Sequence, residues 1–274
     1  YMDSDTLWVQ NSSKLAVNET IDFLERQKND NAPIFVNLWL KDPHTPLWPS
    51  DEQKAPYKGL EPSKEIYYSV LTDADFHIGR LMAYLKKMNL DENTLVIFTS
   101  DNGPAGYGPS KIAGSTAGLK GRKTDTFQGG VNVPFIVRWK GKVAAGKTDD
   151  QSVLSLVDLL PTFSALANEK LPSTYKADGE NVSTIFNNKP FQRTTPLFWD
   201  WRFSHNRKSN PNHWVAQAVR FGDWKLMVGK NQKRVELYNI TNDRFEQNNL
   251  VEANPDTVKK LSAMLKKWDS ELPK

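Results

Sequence analysis

The sequence predicts an α/β fold: a mixed, mostly parallel sheet flanked by helices, then a small antiparallel sheet with a C-terminal helix. Three observations point there. Short apolar runs such as Val96-Ile97-Phe98 and residues 133–139 follow stretches with helical spacing, the order typical of α/β proteins. These runs stop on polar turn residues, and open α/β sheets bind ligands at the carboxyl ends of their strands. From Thr195 the pattern changes to short strands separated by turns such as Gly222-Asp223, which reads as an antiparallel meander. The candidate boundary lies in residues 171–190. It gives an α/β part over residues 1–190 and a small subdomain over residues 191–274.

The elements follow in order. Ser12-Ser13 can cap a helix whose Val17, Ile21 and Leu24 share one face. Residues 34–40 read as a strand. Pro43, Pro46 and Pro49 forbid regular structure after it, which leaves His44 in a loop past the strand end. Ser63 is placed to cap a long helix carrying Tyr67, Val70, Leu71, Ala74, Ile78, Leu81, Leu85 and Met88 on one stripe, with Asn89 as its terminator. Residues 94–99 are the next strand, ending at Ser100-Asp101-Asn102-Gly103. Residues 124–129 suggest one helical turn before Gly129-Gly130, and residues 133–139 another strand. Asp158 is expected to cap a helix with Pro161 in its first turn. The last helix starts at Pro255 and carries Val258, Leu261, Leu265 and Trp268 on the face that covers the meander.

Composition excludes several classes. Hydrophobic content of 38% and charged content of 25% in 274 residues are those of a globular protein with a full core. No apolar run is long enough to span a bilayer. A net charge of +4 is too diffuse to argue for nucleic acid. With no cysteine, disulfides, thiolate zinc sites and thiol nucleophiles are out.

Three stretches carry candidate chemistry. Asp101 and Asn102 set hard oxygen donors side by side, which suits a calcium- or magnesium-like ion, although Asp-Asn-Gly-Pro is also ordinary turn chemistry. Residues 103–124 contain Lys111, Lys120, Arg122 and Lys123 and no acid, so a positive field faces whatever lies past Asp101. Residues 204–212 interrupt the meander. Arg202, His205, Arg207 and His213 cluster there beside Trp201 and Trp214; cations with aromatic faces suit an anionic sugar, and a solvated hairpin tip is the plainer reading.

Three motifs form an ordered set: an apolar run ending in Asp42-Pro43-His44-Thr45-Pro46, a strand ending in Ser100-Asp101-Asn102-Gly103, and Lys123 six residues before Gly129-Gly130. This set resembles the sulfatase family, the formylglycine-dependent type within the alkaline phosphatase superfamily. The resemblance implies that Asp101 and Asn102 are ligands of a calcium ion. It implies that Lys123 contacts the sulfate and the leaving oxygen, and that His44 contacts the sulfate or protonates the leaving group. Arg202, His205, Arg207, His213 and Trp214 are the candidates for substrate binding. The substrate is expected to be a sulfated small molecule or glycan, and the location periplasmic or secreted.

The chain also departs from that family. No Cys/Ser-x-Pro/Ser-x-Arg segment supplies a nucleophile, the early Asp-Asp pair and the Lys-x-His segment have no match, and Gln128 stands where the family often has Glu. The chain is therefore expected to be the C-terminal part of a sulfatase, partnered by an N-terminal half. Alone it should bind calcium weakly and be inactive. Two other readings remain: a phosphodiesterase or phosphonate hydrolase of the same superfamily, and a non-catalytic carbohydrate-binding protein on the same scaffold. The sulfatase reading requires His44, Asp101, Asn102 and Lys123 to converge on one pocket.

Overall fold

The structure is a computed structural model that describes residues 6–106, 114–201, 216–229 and 233–273. Its contacts divide the chain into two compact units. One comprises Tyr1–Thr94 and Gly106–Gly114, the other Leu95–Ala105 and Ser115–Lys274. The boundary expected near residue 190 falls inside the second unit.

The first unit is helical: α1 (Thr6–Gln10), α2 (Ser12–Gln27), α3 (Asp51–Lys54) and α4 (Pro62–Lys87). Helices α2 and α4 pack together and bury Val17, Leu24, Val70, Ala74 and Leu85. Polar ties add to this: Arg80 donates to Asn18 Oδ1 (2.8 Å) and the Tyr84 hydroxyl to Glu25 (2.7 Å). Helix α4 ends as its sequence suggests. Asn89 takes a left-handed φ of 56°, and the Leu90 amide closes back on the Leu85 carbonyl at 2.9 Å.

Its start differs from expectation. Pro62 occupies the first turn, so the cap falls to Glu61, whose carboxylate accepts from the Lys64 amide at 3.3 Å, and not to Ser63. The strand expected over residues 34–40 is also absent, because that segment pairs with no strand among the described residues. Phe35 is 71% and Trp39 82% exposed. An apolar pattern marks a surface that favours burial, but a strand exists only where a neighbour meets its backbone groups.

The second unit contains β1 (Val96–Thr99), α5 (Gln128–Val131), β2 (Phe135–Arg138), α6 (Leu159–Leu166), β3 (Leu197–Asp200), β4 (Ala216–Phe221), β5 (Trp224–Gly229), β6 (Val235–Asn239) and α7 (Pro255–Glu271). The chain is thus α/β. The expected parallel layer is not formed among the described residues, however: β1 pairs antiparallel with β2, Val96 opposite Arg138 and Phe98 opposite Ile136. Phe98 and Ile136 are exposed.

The meander is as expected, with order β3-β4-β5-β6 and every pair antiparallel. Successive strand residues point to opposite faces, so its adjacent apolar residues build two cores. Val219, Leu226 and Leu237 meet Leu261 and Leu265 of α7 on one face. There the Trp268 ring stacks on Phe198 with centroids 4.9 Å apart. Ala218, Met227 and Tyr238 meet Phe127 on the other face. That second contact seats the loop carrying Lys123 on the sheet.

Asp158 does not cap α6 through its side chain. The carboxylate is fully buried and accepts from the amides of Ser155 (2.7 Å) and Glu180 (2.9 Å) and from the Arg193 guanidinium. It thereby ties residues 180–193 to the start of that helix.

Leu261→Ala should remove about 2–5 kcal/mol of unfolding free energy, because Leu261 is 1% exposed between helix and sheet. Lys266→Ala, exposed on the same helix, should change it by less than about 0.5 kcal/mol. Urea titration of both variants checks the pair.

Candidate active site

The strand-end turn and the lysine loop meet chiefly through backbone. After β1 the chain turns at Ser100, whose hydroxyl donates to the Asn102 carbonyl at 2.9 Å. The Gly103 amide then donates to the Gly130 carbonyl at 2.9 Å. A Cβ on Gly103 would lie 1.9 Å from the Gly129 oxygen, so only glycine permits this approach. From the other side, a Cβ on Gly129 would lie 2.2 Å from the Gly121 oxygen, and one on Gly130 would lie 2.2 Å from the Asp125 oxygen. The glycine pair is therefore a seam between two loops, one bearing Asp101 and Asn102 and the other bearing Lys123.

Two further bonds close the seam, and a third braces the lysine loop internally. The Lys123 amide donates to the Pro104 carbonyl at 3.0 Å, and Arg122 Nε donates to the Ala105 carbonyl at 3.3 Å. Asp125, buried, accepts from the Arg122 amide at 2.8 Å. Next to Lys123, Thr124 takes a φ of 79°, a costly conformation for a β-branched residue.

Asp101 is exposed and Lys123 half-buried, and neither side chain makes a hydrogen bond or ion pair among the described residues. Asn102 Nδ2 donates to the Gly103 carbonyl at 2.9 Å, which leaves its Oδ1 available as an acceptor. Two adjacent oxygen donors suit a hard cation, but such an ion takes six or more. No group of three or more His, Cys, Asp or Glu able to hold a metal occurs among the described residues. The donor type fits a calcium-like ion, and the donor number is only a part of what that ion needs.

His44 belongs to the first unit. Its Nδ1 lies 2.6 Å from the Thr45 carbonyl; a carbonyl only accepts, so Nδ1 carries a proton and Nε2 is the exchangeable position. The loop is held by Lys41 Nζ, which donates to the carbonyls of His44 (3.0 Å) and Pro46 (2.9 Å). Asp42 accepts from Ser12 (2.9 Å) and Ser13 (2.6 Å). The two serines thus anchor the histidine loop instead of capping their own helix.

Arg202, His205, Arg207, His213 and Trp214 lie outside the described residues, as does Lys111. A cleft of about 330 Å³ lined by Trp139, Lys142, Leu166, Asn168, Ser183 and Phe186 includes none of the motif residues. Sequence reasoning missed Lys41, Asp42, Lys225 and Glu246. The signal for Lys225 was a lysine inside the apolar run Trp224-Lys225-Leu226-Met227. For Glu246 no local signal exists.

The sulfatase family model matches residues 1–169, which include all four motif residues. This chain belongs to the sulfatase family. A second model, N-sulphoglucosamine sulphohydrolase C-terminal, matches residues 123–272. The chain is 28% identical over 93% of its length to the uncharacterized sulfatase YdeN of Escherichia coli, spanning 50% of that protein. It is 28% identical over 94% of its length to an N-acetylgalactosamine-6-O-sulfatase of Bacteroides thetaiotaomicron, spanning 51% of it. The crystal structure of Ps i-CgsB superposes with a TM-score of 0.82 at 30% identity, covering 93% of this chain and 54% of that one. The chain thus spans about half the length of the curated relatives it matches. The neighbouring folds are those of sulfatases, alkaline-phosphatase-like in architecture.

Gly103→Ala should lower stability by about 1–3 kcal/mol, as overpacking against backbone does. Gly79→Ala, in α4 with nothing within 4 Å of the added carbon, should raise it by about 0.5–1 kcal/mol. Thermal melts of the two variants should shift in opposite directions.

Proposed function

We propose that this chain is the C-terminal part of an enzyme that, when complete, hydrolyses a carbohydrate sulfate ester, and that Asp101, Asn102, Lys123 and His44 belong to its active site. The observation that carries this reading is the backbone seam that joins the Asp101 turn to the Lys123 loop, with neither charged group hydrogen-bonded or ion-paired among the described residues.

Hydrolysing a sulfate ester forms a bond from sulfur to an incoming oxygen nucleophile, a role assigned to no residue of this chain, and breaks the bond from sulfur to the alcohol oxygen, so charge grows on the leaving oxygen and on the sulfuryl oxygens. The Lys123 ammonium stabilises that charge where water is least able to, a contribution typical of preorganised charge sites. His44, protonated at Nε2, gives its proton to the leaving oxygen. Its Nδ1–H remains on the Thr45 carbonyl, so only one ring nitrogen takes part. Asp101 and Asn102 would hold a calcium-like ion, which when bound would polarise a sulfate oxygen.

The substrate class follows the relatives. One is an N-acetylgalactosamine-6-O-sulfatase, and Ps i-CgsB also has a structure with k-i-k-neocarrahexaose. Arg202, His205, Arg207, His213 and Trp214 are proposed to bind the glycan. No helix among the described residues is long and apolar enough to cross a membrane. We place the protein in the periplasm or outside the cell, where polymeric sulfated glycans are met.

In the whole protein, Asp101→Ala should abolish hydrolysis of an aryl sulfate and remove calcium binding measured by titration calorimetry. Lys123→Ala should lower kcat by about 10²–10³-fold. Near-normal turnover in either variant would refute the assignment.

A further inference from the structure

We infer that the buried pair of Lys225 and Glu246 is a positioning device for Lys123, fastening its loop to the antiparallel sheet through Gln128. The role in catalysis rests on the sulfatase reading of Lys123; the fastening itself does not.

Both partners are fully buried, and their charged atoms stand 2.9 Å apart. Glu246 uses its second oxygen to accept from the Gln128 amide at 2.6 Å, and Lys225 also donates to Gln128 Oε1 at 3.2 Å. Gln128 opens α5, where the first amides have no partner inside the helix. Its backbone and side chain are thus both held. The other end of the loop is held as well: Lys120 Nζ donates to the Tyr238 hydroxyl (3.0 Å) and to the Glu246 carbonyl (3.3 Å). Lys123 lies between these two fastenings, and its side chain makes no hydrogen bond or ion pair among the described residues.

A buried ion pair seldom adds stability over apolar residues of the same shape, because desolvation offsets the attraction. Packing alone therefore gives no reason for charges at these positions. What an apolar pair cannot do is accept a hydrogen bond from the Gln128 amide. Glu246 reaches that amide from a left-handed backbone, with φ 55°, a conformation that ordinary residues adopt at a cost. The geometry favours placement of the loop over strength of the core.

Two double variants of the whole protein separate the roles. Lys225→Met/Glu246→Leu keeps the volume and removes the acceptor. Lys225→Met/Glu246→Gln also removes the charges but keeps an acceptor oxygen. We expect both to fold, with amides of residues 123–130 exchanging faster only in the leucine variant. That variant should lose about 10- to 100-fold in kcat on an aryl sulfate with KM little changed, and the glutamine variant should stay within about threefold of wild type. Equal exchange in the two variants would overturn the fastening. Unequal exchange with equal kcat would overturn the positioning role. Unequal exchange in a protein whose wild type hydrolyses no sulfate ester would overturn the sulfatase reading and uphold the fastening.

Discussion

The candidate site depends on one constraint: backbone must touch backbone where the Ser100–Pro104 turn crosses Gly129 and Gly130. A single added methyl group at Gly103, Gly129 or Gly130 would come within 2.2 Å of a carbonyl oxygen. Close packing leaves no room for local adjustment there. Because the seam is closed by glycine, the amides and carbonyls of both loops can bond directly, and Arg122 Nε adds a side-chain bond to the Ala105 carbonyl. Asp101 and Lys123 thereby stand on two joined loops, with no hydrogen bond or ion pair to either side chain among the described residues.

The second support is the two-faced meander. Period-two alternation gives α7 one face and the Phe127 loop the other. A hydrophobic contact such as Phe127 supplies attraction but little angular definition. The polar contacts around Gln128 and Lys120 add direction, since hydrogen bonds weaken steeply when bent. The small sheet is therefore more than an appendage to the site. Burial pushes the Lys225 ammonium below its usual pKa range, and the Glu246 carboxylate opposes that shift, which is the balance expected of a charge kept buried by one partner.

Much of the fold was legible in the sequence. The helices around residues 12–27, 62–87 and 255–271, the antiparallel meander after Thr195 and the Asn89 terminator are set by local pattern, and each appears in the structure. The misses share a cause. Residues 34–40 carry a strand-like pattern, yet a strand needs a partner that the segment itself does not contain. Ser12, Ser13 and Asp158 have the right chemistry for caps, yet distant groups claim them: Asp42 binds the serines, while Glu180 and Arg193 bind Asp158. Local propensity ranks what a residue can do; tertiary neighbours choose among the options.

By itself, the sequence determined the family and the identity of the motif residues. His44, Asp101, Asn102 and Lys123 stand in fixed order with glycines and prolines whose backbone demands are local. The tertiary structure decided what those motifs share. It joined the Asp101 turn to the Lys123 loop across a glycine seam and backed that loop with Lys225 and Glu246. Glu246 is 118 residues from the amide it holds. No local rule links residues so far apart, because their meeting is a consequence of how sheet, loop and helix pack.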